Sequence, residues 1–297
     1  MDLRALQAET DRIRRDAKTL GPLKTKDFTE RRKAYPFHGY AEVVTGYVDP
    51  FVMFCNNDEP FSYNANWNGF FDYEEQTLRL WSSLCKKASS VIDVGAHVGL
   101  FSLVAALSNP KASIDAFEAV DHIFARLFVN VQANRFAKIR PHLAAVSDGE
   151  GWTDINIRSG PRLMSTGASL DDRGKSIATK RINKLSIDYF LQGRAVDLIK
   201  IDVEEHEAHV IRGAIESIKL CKPTIMAEVL TSEVLAAIRE TVMPIGYNAY
   251  WLSELDGSIV DIDAPRPPQS RNILLHHPSR VTETRLDTTS VGRVSAY

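Results

Sequence analysis

The stretch that decides the fold runs from residue 90 to residue 119 and reads SVIDVGAHVGLFSLVAALSNPKASIDAFEA. It begins with an apolar run typical of a buried strand, passes through a turn with two glycines, and ends in a second apolar run closed by Glu118. Four side chains between the two runs recur at helical spacing: Leu100, Leu103, Val104 and Leu107. Pro110 ends that pattern. The stretch therefore predicts a strand, a helix and a second strand that open a nucleotide-binding α/β fold.

The turn in this stretch favours S-adenosylmethionine over a dinucleotide. Gly95 and Gly99 have three residues between them, whereas a dinucleotide fingerprint has the spacing G-x-G-x-x-G. Asp93, just before the turn, would repel a diphosphate and attract a ligand that carries an ammonium and a sulfonium group. Glu118, about twenty residues further on, is placed to accept hydrogen bonds from ribose hydroxyls. The alternative is a unit for another ligand, in which Asp93 only caps the turn.

The composition is that of an ordinary globular chain. Its 297 residues are 44% hydrophobic and 25% charged, which suffices for one large α/β domain with an N-terminal extension. The formal net charge of −2 lacks the basic footprint of a nucleic-acid partner. Cys55, Cys85 and Cys221 lie far apart, which argues against a disulfide framework or a zinc site and predicts a reducing, cytoplasmic location. No apolar run approaches the ~18 residues of a membrane span.

The chain is expected to divide into three parts. Residues 1–72 form an N-terminal extension, residues 73–278 the cofactor-binding domain, and residues 279–297 a polar tail. An amphipathic helix that could mediate homo-oligomerisation is predicted from one apolar stripe: Leu3, Leu6, Ile13, Ala17 and Leu20. Two β-prone runs between Tyr40 and Phe54 predict a hairpin, and residues 56–72, rich in asparagine and aromatics, predict a long, lid-like loop.

Further along, strand and helix patterns alternate, which predicts a mostly parallel sheet covered on both faces. A helix is expected over residues 73–87 and a third strand over residues 139–147, with an extra strand at residues 152–159. Residues 159–176 are rich in glycine, serine and charge and predict a surface insertion. Residues 196–220 predict a strand followed directly by a helix.

A second group of polar residues lies on that later strand. Lys200, Asp202 and Glu204 have the same parity, although a central parallel strand is expected to be apolar on both faces. Asp202, Glu204 and His206 would lie at the carboxyl end of the strand, where doubly wound sheets bind ligands, and Glu228 would lie at the end of the next strand. A purely structural interpretation pairs Lys200 with Glu228 and lets the other carboxylates cap the following helix.

Seven segments carry a resemblance to a known family: YEEQTLRLW, VIDVGAHVGLFSL, AFEAV, AAVSDGEG, LSIDYFL, LIKIDVEEHEAHVIRGA and IMAEV. In this order and spacing, across residues 73–230, the chain resembles the FkbM-type S-adenosylmethionine-dependent methyltransferases. The family usually has asparagine at the position of His97 and glycine at the position of Glu205. The chain therefore departs from the family pattern at two positions beside the expected site.

The resemblance implies a class I methyltransferase fold, an α/β doubly wound, mostly parallel sheet of seven strands with the last one antiparallel. It also implies methyl transfer from S-adenosylmethionine to a hydroxyl of a small molecule or glycan, typically a sugar or a secondary metabolite. By motif match, the residues that would frame the methionine part of the cofactor are Asp93, Gly95, Ala96 and Gly99. Glu118, followed by Ala119, would bind the ribose, and Ala145 and Val146 would line the adenine. His97, in the turn, would also lie beside the cofactor. Asp202 would face the methionine end or the acceptor.

A hydroxyl acceptor calls for a general base. His206 is the first candidate because its unperturbed pKa near 6.5 suits proton removal at neutral pH, and Asp202 and Glu204 follow as base or orienting groups. The alternative for His206 is a solvent-facing residue at a helix start. Asp202 with Glu228 could hold a divalent cation, but the sequence does not demand a metal. His206 and His209 are three residues apart, which is too close for a zinc helix.

Three other functions compete with this hypothesis. A nicotinamide-dependent oxidoreductase is disfavoured by the missing G-x-G-x-x-G spacing and by Asp93. A non-catalytic scaffold that keeps the cofactor fold predicts that replacing Asp93 or His206 leaves the biological output unchanged. Methylation of protein or nucleic acid is disfavoured by the balanced charge.

Overall fold

The computed structural model describes residues 28–68, 73–157 and 178–280, together with residues 12, 15, 16 and 19. They fall into two compact units, one that ends at Tyr73 and one that begins at Glu74. The apolar stripe predicted within residues 3–20, the insertion at residues 159–176 and the tail beyond residue 280 lie outside the described residues. No helix in the described ranges is long and apolar enough to cross a membrane.

The first unit contains a hairpin between two helices. Its elements are α1 (Phe28–Ala34), β1 (His38–Val43), β2 (Phe51–Asn56) and α2 (Pro60–Asn68). β1 and β2 pair antiparallel, with His38 opposite Asn56 and Val43 opposite Phe51. The predicted hairpin is thereby confirmed.

The prediction of a long loop over residues 56–72 is wrong, because α2 occupies its centre. The carboxylate of Glu59 accepts hydrogen bonds from the backbone N–H groups of Phe61 and Ser62 at 2.8 and 2.6 Å, which satisfies the first turn. Tyr63 and Trp67, one helical turn apart, are both buried and pack edge to face at 6.1 Å. Proline at the first helical position and an aromatic pair at i, i+4 therefore outweigh the poor helix propensity of the asparagines.

The second unit begins with α3 (Glu75–Cys85), β3 (Ser90–Val94), α4 (Leu100–Ser108), β4 (Ser113–Glu118), α5 (Asp121–Ala133) and β5 (Ile139–Leu143). It continues with β6 (Ala145–Val146), β7 (Gly151–Ile157), β8 (Ala178–Leu185), α6 (Ile187–Leu191), β9 (Leu198–Ile201), α7 (Glu207–Arg212) and α8 (Ile215–Cys221). It ends with β10 (Thr224–Glu228), α9 (Ser232–Val242), β11 (Asn248–Leu252), β12 (Ile259–Asp261) and β13 (Asn272–His276). The predicted helix before β3 and the strand, helix and strand of the opening stretch are all confirmed.

The main sheet has the strand order β12-β11-β13-β10-β9-β3-β4-β5. β5, β4, β3, β9 and β10 are parallel, while β13 runs antiparallel to both β10 and β11. This confirms the doubly wound, mostly parallel sheet with an antiparallel last strand. The described sheet has eight strands rather than seven, because the three-residue β12 adds an edge beside β11.

One local prediction is wrong here, and one strand was not predicted. The strand expected over residues 139–147 breaks at Ala144, because β6 leaves the main sheet for a three-stranded sheet ordered β6-β8-β7. β7 is the extra strand that was expected, whereas β8 was not predicted, since three basic residues interrupt its alternation.

The segment after β9 is not a strand followed directly by a helix. Residues 202–206 form a loop, and the helical part is divided into α7 and α8 around Gly213. A Cβ added to Gly213 would lie 2.0 Å from the backbone oxygen of Ser147, so the chain packs there too closely for another residue. The carboxylate of Asp188 accepts hydrogen bonds from the N–H groups of Glu216 and Ser217 at 3.0 and 2.7 Å. These bonds cap the first turn of α8, which is therefore a separate helix.

The order of strands reverses between β3 and β9, which are neighbours in the sheet. The loops that follow β3 and β9 therefore leave the sheet side by side at its carboxyl edge. In open α/β sheets this reversal is where ligands bind. The fold thus brings the two polar stretches of the sequence, about one hundred residues apart, to one place.

Candidate functional site

The turn after β3 packs directly on the loop after β9. A Cβ added to Gly95, whose φ is +76°, would lie 1.8 Å from the backbone oxygen of Asp202. Gly99 also has a positive φ, +97°, and a Cβ added to it would lie 2.6 Å from Cδ1 of Leu127 on α5. The N–H groups of Gly95 and Ala96 both donate to the backbone oxygen of Phe117, at 3.0 and 2.8 Å. Both glycines are therefore required by their positive φ, and Gly95 also by the close approach of backbone atoms.

Asp93 lies at the end of β3 and is 1% exposed. Its Oδ2 accepts a hydrogen bond of 2.6 Å from the hydroxyl of Ser102 on α4. Burial raises the pKa of Asp93 to about 6, although the bond from Ser102 and the charge of Lys200 act in the opposite direction. The protein thus keeps a buried negative charge that its own groups compensate only in part, which is the property expected of a carboxylate that receives a cationic ligand.

Glu118 joins the turn to the end of β4. Its Oε2 accepts from the N–H of His97 at 3.0 Å, and its Oε1 accepts from the N–H of Val120 at 2.8 Å. Burial raises the pKa of Glu118, and these two bonds oppose that shift. The backbone oxygen of Glu118 accepts from the N–H of Ala144 at 3.1 Å, which brings the start of β6 beside the end of β4. Ala145 and Val146 are buried, and Ala119 directly follows Glu118.

Lys200 on β9 is a buried cation among carboxylates. It is 1% exposed, its Nζ lies 3.2 Å from Oδ2 of Asp202, and it stands 4.8 Å from the ring centroid of Phe101. The purely structural interpretation had paired Lys200 with Glu228. The ion pair of Lys200 is instead with Asp202. Burial lowers the pKa of Lys200, but nearby carboxylates, Asp202 first, outweigh burial and raise it, so the amine stays protonated.

Glu228 at the end of β10 completes this group. It is 6% exposed and pairs with Nη1 of Arg271 at 3.3 Å. Burial and the charge of Asp202 raise the pKa of Glu228. Asn272, opposite Glu228 in the sheet, donates to Oε2 of Glu74 at 3.4 Å. Within the described ranges, no three His, Cys, Asp or Glu side chains are arranged to hold a metal ion.

The loop after β9 has an unusual backbone. Asp202 donates its N–H to Val94 at 2.9 Å, and Glu204 and Glu205 have φ values of +53° and +73°. Asp202 and Glu204 are half-buried. Left-handed backbone is disfavoured for residues with a Cβ by about 1–2 kcal/mol each. His97, in the turn opposite, is also left-handed, with φ +51°. The two positions where the sequence departs from the family pattern are thus positions where asparagine and glycine are the residues best suited to the backbone.

Replacing Glu205 with Gly is expected to stabilise the protein by about 1 kcal/mol, because glycine adopts a φ of +73° without steric strain. Urea denaturation of the two proteins measures the difference. The control is Glu216→Gly in the first turn of α8, which should destabilise by a similar amount since glycine disfavours helix. Equal destabilisation by both changes would contradict the strained backbone at Glu205.

His206 directly precedes α7 and is 6% exposed, so the solvent-facing alternative is wrong. Its Nε2 lies 2.9 Å from the hydroxyl of Ser147, and its ring stacks on that of His209 at 4.2 Å between centroids. Nδ1 of His209 lies 2.7 Å from Oδ2 of Asp148. His206 is therefore held beside the segment that follows β6, and not at the Lys200 group.

The structure thus brings together most of the predicted site. One group at the carboxyl edge contains Glu118, Asp202 and the turn that runs from Asp93 to Gly99. Ala145 and Val146 follow Ala144, whose N–H donates to the backbone oxygen of Glu118. Sequence reasoning missed five residues of this region: Glu74, Ser102, Glu207, Arg271 and Asn272. Ser102 alone left a signal: it is a polar residue inside the otherwise apolar run from Leu100 to Leu107, and it is fully buried.

Comparison with known proteins gives a consistent result. The sequence model of the methyltransferase FkbM domain matches residues 93–243. The 31-O-demethyl-FK506 methyltransferase FkbM of Streptomyces tacrolimicus is 31% identical, over 41% of this chain and 58% of its own length. The chain therefore spans little more than half of that curated relative.

Two solved structures are partly similar to this chain. Methyltransferase FkbM from Methylobacillus flagellatus KT is 14% identical, with a TM-score of 0.46 over 64% of this chain and 44% of that one. The SAM-dependent methyltransferase from Agrobacterium tumefaciens is 12% identical, with a TM-score of 0.45 over 82% of this chain and 72% of that one.

Proposed function

We propose that this chain, which belongs to the FkbM methyltransferase domain family, binds S-adenosylmethionine at the carboxyl ends of β3, β4 and β9 and transfers its methyl group to a hydroxyl. The observation that carries the proposal is the set of carboxyl groups around the glycine turn: Asp93, Glu118 and Asp202. The acceptor class is a sugar, a glycan or a secondary metabolite. A relative named for a 31-O-demethyl acceptor supports oxygen as the methylated atom.

The residues of the turn suit this cofactor. Asp93 would receive the ammonium of the methionine part, since a buried carboxyl whose pKa is raised to about 6 is favoured in its ionised form by a nearby cation. Glu118 would accept from the ribose hydroxyls with the lone pairs that its two backbone donors leave available. Gly95 keeps the turn free of side-chain atoms. Ala145 and Val146 would line the adenine.

When bound, the cofactor would supply a methyl group activated by its sulfonium: the acceptor oxygen attacks the methyl carbon in line, the C–O bond forms as the C–S bond breaks, and neutral S-adenosylhomocysteine leaves. The chain itself must orient the acceptor and take the hydroxyl proton. Asp202 is our first candidate for that proton, because its carboxylate is 29% exposed at the carboxyl edge and is fixed by Lys200 at 3.2 Å. Glu204, half-buried in the same loop, is the second. His206 is the third, since its Nε2 is engaged by the hydroxyl of Ser147.

The function is tested by titrating S-adenosylmethionine and S-adenosylhomocysteine into the protein by calorimetry. Acceptor pools are then screened by mass spectrometry for the gain of one methyl group. We expect saturable binding of both ligands. Failure of either to bind at millimolar concentration would overturn the proposal, and binding of a reduced nicotinamide in their place would favour the oxidoreductase.

Three single changes separate the candidate bases: Asp202→Asn, Glu204→Gln and His206→Gln. We expect Asp202→Asn to lower kcat by about 100-fold or more, within the usual contribution of a general base, while the other two lower it by less than about tenfold. Turnover is measured across a pH range of about 6 to 9 at saturating cofactor. If His206→Gln has the largest effect and removes the acidic limb of the pH profile, the imidazole and not Asp202 takes the proton.

A further inference from the structure

The 202–206 loop needs an element that holds it. Glu204 and Glu205 are consecutive left-handed residues, and such backbone persists only where the surroundings enforce it. On one side the loop is anchored by the N–H of Asp202, which donates to Val94 at 2.9 Å. Its other side leads into α7.

Glu207, the first residue of α7, reaches back over this loop. Its Oε1 accepts hydrogen bonds from the backbone N–H groups of Val203 and Glu205, both at 3.1 Å. The side chain is 1% exposed, so no solvent competes for these bonds. Both donors precede His206, the residue directly before the helix, and the bonds therefore stabilise the loop and not the first turn of α7.

The second oxygen of Glu207 distinguishes it from an ordinary capping residue. Oε2 is buried and has no hydrogen-bond partner among the described residues. A buried oxygen without a partner is unfavourable, and sequences usually avoid it where stability alone is at issue. The carboxyl lies next to a strained loop that contains both carboxylate candidate bases, Asp202 and Glu204.

We propose that Glu207 is a positioning residue: by holding the N–H groups of Val203 and Glu205, it keeps Asp202 and Glu204 in the arrangement that methyl transfer requires. The inference rests on the proposed function. It goes further because a side chain that does not touch the substrate would fix the positions of the two carboxylates that do. Loss of the Glu207 acceptor lets the loop relax toward ordinary backbone conformations, which moves both carboxylates.

The hydrogen bonds are tested first, without any acceptor. Amide hydrogen exchange at Val203 and Glu205 is compared by NMR in the unmodified protein, Glu207→Ala, Glu207→Gln and the control Glu216→Ala, an exposed glutamate in the first turn of α8. We expect exchange to become about tenfold faster or more in Glu207→Ala. Glu207→Gln should stay close to the unmodified protein, because the amide oxygen accepts the same two bonds, and Glu216→Ala should not change.

The positioning role is tested by turnover. Glu207→Ala is expected to lower kcat by about tenfold or more, with the Kd of S-adenosylmethionine changed by less than about threefold, and Glu207→Gln is expected to restore turnover. The decisive variant is Glu205→Gly combined with Glu207→Ala. Glycine adopts the left-handed backbone without strain, so it should recover at least about threefold of the lost kcat, whereas it could not repair a cavity in the core.

Three results would overturn the inference: unchanged exchange in Glu207→Ala, a Glu207→Gln variant as impaired as Glu207→Ala, or no recovery in the double variant. If Glu207→Ala lacks a cooperative unfolding transition, the double variant replaces it and must show fast exchange at Val203 with measurable turnover. An unmodified protein that binds no S-adenosylmethionine defeats the proposed function instead, and the exchange experiment still decides whether Glu207 holds the loop.

Discussion

Asp93→Asn is expected to make the ligand-free protein more stable and to remove most of its affinity for S-adenosylmethionine. Asparagine can accept the hydrogen bond from Ser102 as the carboxylate does, but it carries no charge that burial would penalise. It also offers no charge to the ammonium of the cofactor. A charge-assisted hydrogen bond contributes about 1.5–3 kcal/mol, so the Kd should rise by about 10- to 100-fold.

The gain in stability has a defined pH dependence. The pKa of Asp93 is raised from 3.8 to about 6, so this carboxyl contributes stability that is fully present below pH 3.8 and is lost as the pH rises through about 6. The Asp93→Asn variant has no such loss, because an amide does not ionise. The difference in Tm between the variant and the unmodified protein should therefore be small below about pH 3.8, grow as the pH rises toward 6, and reach its maximum above about pH 7, where it corresponds to about 1–3 kcal/mol.

Asp115→Asn is the matched control, because Asp115 is an aspartate of the neighbouring strand and is also buried. Burial raises the pKa of Asp115, but hydrogen bonds from His142 and Arg140 outweigh it and hold the pKa below its usual value. Its contribution is therefore present above the unfolded pKa and is lost as the pH falls. The control should lose stability at about pH 8 and keep its cofactor affinity. Calorimetry and thermal unfolding that found the two variants alike would contradict the assignment of Asp93.

Gly95→Ala should both unfold the site and destabilise the protein. The added Cβ would lie 1.8 Å from the backbone oxygen and 2.8 Å from the backbone carbon of Asp202, and neither atom belongs to a side chain that can move aside. The turn after β3 and the loop after β9 would have to separate. Overpacking of this kind, added to a left-handed backbone, is expected to lower the free energy of unfolding by about 3 kcal/mol or more and to abolish cofactor binding.

Gly193→Ala isolates the backbone contribution of that change. Gly193 has a similar φ of +82°, and no described atom would lie within 4 Å of the added Cβ. Its replacement should therefore lower the free energy of unfolding by only about 1 kcal/mol, the cost of left-handed backbone alone. Both variants are measured by urea denaturation, and cofactor affinity by calorimetry. Similar losses in the two would show that β3 and β9 do not approach each other as closely as the structure has them.

The elements that the sequence predicted correctly are those whose signal is local. The opening strand, helix and strand follow from a run of apolar residues, a helical stripe and a proline, all within about thirty residues. Gly95 and Gly99 are recognisable because a turn that requires positive φ leaves glycine in the sequence. The hairpin and the alternation of strands and helices have the same origin, and the alternation is enough to indicate the parallel sheet.

The site depended on contacts that no local pattern records. Asp93 and Asp202 are neighbours only because β3 and β9 pair across the point where the strand order reverses. The burial of His206 against Ser147, the choice of Asp202 over Glu228 as partner of Lys200, and the reach of Glu207 over the 202–206 loop arise from the same packing. Backbone preference and hydrophobic period act over a few residues, and they identified the strands and the glycine turn. Charge partners, burial and accessibility are properties of segments far apart in the chain, and they were set when the sheet assembled.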